Sequence, residues 1–78
     1  MTDNEKAVMT DCYKLLNEFS NPPLKTDPAC DDYWSRMATA LTDLSAKHRN
    51  HPLATKVATG IYEYLEEKFK AINRKKGV

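Results

Sequence analysis

Seventy-eight residues hold one core and no second one, so residues 1–78 read as a single domain. With 41% hydrophobic and 29% charged residues the chain is too apolar for disorder, and at this size it needs close packing or a partner subunit to fold. Twelve Lys and Arg against eleven Asp and Glu leave a net charge of +1, well short of the positive excess of a general nucleic-acid or membrane binder.

Three stretches carry a helical apolar rhythm, and two proline-marked breaks separate them. The first spans residues 4–19. Val8, Cys12, Leu15 and Phe19 recur on one stripe, with Leu16 beside it. Asp3 or Asn4 is the expected cap, and Glu5 suits the positive end of the helix dipole. Ser20-Asn21-Pro22-Pro23 ends the helix, because proline cannot continue it. Leu24, alone in a polar loop, is expected to fold back over the end of the bundle.

The second helix is predicted over 28–48, capped by Asp27 with Pro28 in its first turn. Its stripe is Cys30, Trp34, Met37, Leu41, Leu44 and His48, widened by Tyr33, Ala38 and Ala40. Lys47, His48 and Arg49 suit the negative C-terminal end. Asn50 or His51 caps a third helix, predicted over 52–73, which Pro52 opens. Leu53, Val57, Ala58, Ile61, Leu65, Phe69 and Ile72 point it at the core. Residues 74–78 are expected to fray as a basic tail.

Short connections make neighbouring helices antiparallel, so the fold class is all-α, an antiparallel three-helix bundle with the second helix central. Folding the second break near residue 50 sets position i of the second helix opposite roughly 100 − i of the third. Gly60 then lies level with Ala40, and close backbone approach there would account for a glycine in mid-helix.

Candidate chemistry is sparse. Cys12, Cys30, His48 and His51 invite a zinc reading, but Cys30 and His48 stand eighteen residues apart on one helix, about 27 Å, and zinc ligands lie about 2 Å from the metal. Cys12 faces roughly position 35 in an antiparallel hairpin, an axial offset of about 7 Å from Cys30, too wide for a disulfide once lateral distance is added. Both cysteines are therefore read as buried thiols acting as small hydrophobes, with a disulfide or redox pair as the alternative. No nucleophile sits beside a base at helical spacing, and there is no glycine-rich phosphate loop. No catalytic residue, metal ligand or cofactor site is assigned, and the chain reads as a non-enzyme.

Tyr13, Trp34, Tyr62 and Tyr64 are the candidate protein interface. Tyr62 and Tyr64 lie about 200° apart on one helix, so both cannot face a core, and surplus aromatic surface is typical of binding hot spots. Lys68, Lys70, Arg74, Lys75 and Lys76 are the candidate phosphate contacts. A third class is a metal- or small-molecule-binding protein using His48 and His51. No apolar run approaches the ~20 residues of a membrane span, and the N-terminus lacks the pattern of a secretory signal. Two cysteines in that setting predict a cytoplasmic chain with reduced thiols.

Asp32-Tyr33-Trp34, then Lys47-His48-Arg49-Asn50-His51-Pro52-Leu53-Ala54, then Tyr64-Leu65-Glu66-Glu67-Lys68 form a pattern over roughly residues 31–70. It resembles short uncharacterised helical proteins encoded on phages and conjugative elements of anaerobic Gram-positive bacteria. The resemblance implies a bacterial cytoplasmic accessory protein and carries over no catalytic or binding residue. The expected function is a small non-catalytic protein-interaction module whose partner is a protein or a second copy in a homodimer. The alternative is a small nucleic-acid-binding regulator using the basic end of the third helix.

Overall fold

A computed structural model describes residues 1–76, with side chains described through Arg74. Three α-helices follow in order: α1 (Asp3–Glu18), α2 (Cys30–Lys47) and α3 (Pro52–Lys76). Every pair of them is in contact, α1 with α3 most extensively, so α2 is one of three mutually packed helices rather than the centre. The direction of each helix follows from its cross-contacts. Asp11 reaches His48 and Phe19 reaches Tyr33, so α2 runs back along α1. Trp34 stacks against both Tyr62 and Phe69, which centres it near level 66 of α3, as the 100 − i relation requires. At roughly 1.5 Å per residue, the 25 residues of α3 span about 38 Å, longer than either neighbour.

The helix ends show local chemistry at work. Thr2, not Asp3 or Asn4, caps α1. Its Oγ1 accepts the Glu5 N–H at 3.1 Å, and Glu5 Oε1 accepts the Thr2 N–H at 2.7 Å, a reciprocal capping box. These bonds to Thr2 hold the Glu5 carboxyl below its ordinary range. The start of α2 also differs from expectation. Asp27 Oδ1 accepts the Ala29 N–H at 2.8 Å and the Asp27 carbonyl accepts the Cys30 N–H at 3.0 Å. Asp27 thus closes a turn through Pro28, and the helix begins at Cys30. At the third start, His51 Nδ1 accepts the Leu53 N–H at 3.1 Å, the cap expected there. At its far end α3 continues to Lys76 instead of stopping at Asn73, because no helix breaker occurs before Gly77 and a cationic last turn suits the dipole. Gly77 and Val78 lie outside the described residues.

The α2–α3 connection is a left-handed cap built without glycine. Arg49 and Asn50 have φ of 55° and 56°. The Asn50 N–H reaches the Ser45 carbonyl at 2.7 Å and the Arg49 N–H reaches Ala46 at 3.1 Å, the paired bonds of a Schellman motif.

Val8, Met37 and Leu65, one from each helix, lose all exposure, and Cys12, Leu15, Phe19, Tyr33, Leu44, Ala54 and Ile61 complete the cluster. The phase of α2 is rotated from the predicted stripe. Tyr33 is buried, whereas Trp34 and Leu41 are half-buried against the core. The Tyr33 hydroxyl explains the preference: it donates to the Phe19 carbonyl at 2.5 Å, satisfying an acceptor just past the end of α1. Burial pushes its phenol up from the ordinary value. The loop after α1 crosses the last turns of α3. There Pro22 is buried, Leu24 is half-buried and lines a groove with Phe69, and the Lys25 N–H donates to Asn73 Oδ1 at 2.6 Å.

Gly60 corrects the sequence reading. It shares a level with Ala40 but points the other way, and a Cβ built there meets nothing within 4 Å. At 100° per residue it lies roughly 140° from the direction of Ala58, Ile61 and Leu65. Gly60→Ala should therefore raise stability by about 1 kcal/mol, since an exposed helical glycine carries only its entropy penalty. Arg49→Gly should give a similar gain by relieving the left-handed backbone. Either change should raise the Tm in dilute solution by about 4–8 °C, and an unchanged Tm would contradict these placements.

Candidate interaction surfaces

The four candidate interface aromatics fall on two separate faces. Trp34 and Tyr62 belong to the α2–α3 side. Trp34 makes edge-to-face contacts with Tyr33 (5.1 Å), Phe69 (5.3 Å) and Tyr62 (5.9 Å). Such pairs add about 0.5–1.5 kcal/mol each beyond area burial, so Trp34 chiefly clamps α2 to α3. Tyr62, 39% exposed, covers Trp34 with its ring while its hydroxyl end can stay wet. Next to it a shallow groove of about 500 Å³ runs between Ala38, Leu41, Thr42, Ala58 and Thr59; small side chains leave this seam open.

Tyr13 and Tyr64 belong to the α1–α3 side. Lys68 Nζ donates to the Ser20 carbonyl at 2.6 Å, and the Lys25–Asn73 bond joins residues of the same separation, 48. The chain just past α1 is therefore level with residues 68–73 of α3, and α1 and α3 run parallel. Tyr13 is 72% exposed, Tyr64 53% and Met9 42%. Tyr13 enters no aromatic pair among the described residues, and Tyr64 carries only the Lys68 ammonium 6.0 Å above its ring.

The basic end of α3 is partly committed within the protomer. Lys68 is spent on Ser20, and Lys70 lies 3.9 Å from Glu66. Arg74 is exposed. The side chains of Lys75 and Lys76, also candidate phosphate contacts, lie outside the described residues.

The two histidines do different jobs. His51 caps α3. His48 is only 11% exposed, and its Nε2 lies 2.7 Å from Asp11 Oδ2, which also takes Lys47 Nζ at 3.0 Å. His48 therefore tethers α2 to α1 rather than simply facing its own helix dipole. Lys47, then His48, hold the Asp11 carboxyl below its ordinary range. Among the described residues no hydroxyl or thiol is hydrogen-bonded to His48, and no group of three or more His, Cys, Asp or Glu comes together as metal ligands do. A polar cleft of about 200 Å³ beside Asn4, Arg49 and His51 is the nearest thing to the small-ligand site considered for these histidines.

Cys12 is buried and Cys30 half-buried, both free. The Asp11–His48 and Phe19–Tyr33 contacts put Cys12 opposite roughly residues 40–47 of α2, so its axial offset from Cys30 is roughly 15–25 Å, wider than the sequence suggested. Burial first, then Asp11, pushes the Cys12 thiol up, which keeps it protonated and a poor nucleophile.

Asp11 is the tethering side chain that the sequence does not single out. Its phase beside Val8 and Cys12 marks it as facing a neighbour, but the α1–α2 register that delivers His48 is a tertiary fact. Comparison with known proteins finds no matching family model, curated protein or solved structure.

Because the folded carboxyl of Asp11 titrates below its unfolded value of about 3.9, its stabilisation is complete above that pH and fades as pH falls through the folded pKa. Asp11→Asn should cost about 1–2 kcal/mol at pH 7 and progressively less towards pH 2, as read by urea unfolding. An equal cost at both ends would exclude the tether.

Proposed function

We propose that this chain is a small non-catalytic protein-interaction module, an accessory protein of a bacterial mobile element. The observation that supports it is the exposed aromatic surface of Tyr13 and Tyr64 with Met9 between the outer faces of α1 and α3. Tyr62 has an internal use for its ring on Trp34; Tyr13 has none among the aromatic pairs. Aromatic anchors of this kind carry interface energy out of proportion to their number. The nucleic-acid alternative draws less support, because Lys68 and Lys70 are already engaged inside the protomer.

The test uses the tagged full chain in its host cytoplasm. The wild-type chain should co-purify with a stoichiometric protein, itself or another. Tyr13→Ala with Tyr64→Ala should weaken that complex by about thirtyfold or more while circular dichroism stays unchanged. A chain that is monomeric and holds no protein, yet binds duplex DNA with a steep salt dependence, would replace this reading with the alternative.

A further inference from the structure

We propose that the outer face of α3 is the contact between two copies of this chain packed antiparallel about a two-fold axis level with residue 62 of α3; this deepens the interaction-module reading and rests on it.

Besides its core stripe, α3 carries a second one. Leu53, Lys56, Gly60, Tyr64, Glu67 and Ala71 follow at spacings of three, four, four, three and four, the alternation that keeps residues on one face of a helix. All of them lie roughly 100–180° from the direction of Ala58, Ile61 and Leu65. Leu53 is half-buried and the rest are exposed. Leu53 also packs against the core and Tyr64 carries the Lys68 ammonium, whereas Lys56 and Glu67 enter no ion pair and Gly60 faces open space among the described residues.

Turned antiparallel about residue 62, the stripe is its own complement. Leu53 meets Ala71 of the other copy, Gly60 meets Tyr64, and Lys56 meets Glu67, each within one residue of register. The Gly60–Tyr64 match joins a glycine over open space to a half-exposed tyrosine whose ring carries only the Lys68 ammonium among the described residues. The Lys56–Glu67 match uses charges that enter no ion pair among the described residues of one protomer. A parallel arrangement would align Lys56 with Lys56 and Glu67 with Glu67, a repulsive pairing, and would leave the space over Gly60 unfilled. Charge therefore selects the antiparallel orientation, and an isologous two-fold contact of this type closes on itself as a dimer.

Sedimentation velocity on the full chain over a concentration series tests this. The wild type should dimerise reversibly. Lys56→Glu and Glu67→Lys should each weaken the dimer roughly tenfold, because the two-fold repeats every pair, and the two changes together should restore it. Circular dichroism should be the same for all four proteins, since both positions are exposed. A wild type that stays monomeric into the millimolar range overturns the proposal, as does a dimer indifferent to both reversals; the second result would move the contact to the open α2–α3 groove. Neither outcome removes the interaction-module reading, which fails only if the chain also holds no other protein.

Discussion

A dry seam to which each helix contributes a large, fully buried side chain holds this molecule together. Val8, Met37 and Leu65 are wholly out of water, and each is worth about 1.5–3 kcal/mol relative to exposure. A chain of this size has a net stability of only a few kcal/mol, so no helix can be removed without losing the fold. The other features work as constraints on how the three rods meet around that seam. The Tyr33 hydroxyl on the Phe19 carbonyl locks α2 to the end of α1, and Asp11 between His48 and Lys47 locks it at the other end. Lys68 on Ser20 ties α3 to the same chain turn.

These polar ties share a logic. Each ties the end of one helix to an acceptor on the chain beside it: the Phe19 and Ser20 carbonyls just past α1, and the mid-α1 carboxylate of Asp11 at the end of α2, acceptors that would otherwise be left partly dehydrated. The outward faces of α1 and α3 carry few internal obligations. Tyr13, Gly60 and Tyr64 stand there. Side chains with few uses inside the protomer are the ones available to a partner, and here Tyr13, Tyr64 and Met9 are the large exposed ones.

How far the sequence was legible varies from residue to residue. The four-and-three spacing of Val8, Cys12, Leu15 and Phe19 and of Ala58, Ile61 and Leu65 gave their burial directly, since helical phase is local geometry. On α2 the same rule pointed at Trp34 and Leu41, while Tyr33 is the residue that is buried; a broad stripe leaves the rotation of its helix to be settled by what it meets. The capping box of Thr2 and Glu5 is written in four consecutive residues, where the acidic and amide side chains of Asp3 and Asn4 are equally plausible caps by type alone. Gly60 was placed at the right level and the wrong azimuth, because a level follows from counting along the chain whereas facing requires the phase of both helices.

Local chemistry alone decided the number of helices, their approximate limits, their antiparallel order and most of the core, because prolines, caps and apolar periodicity act within a few residues. Only the tertiary structure decided which groups from different helices meet: Asp11 with His48, Tyr33 with Phe19, Lys68 with Ser20, and the division of four candidate aromatics between two faces. Those pairings depend on inter-helix register and rotation, which packing around a common core sets and which no short window of sequence encodes.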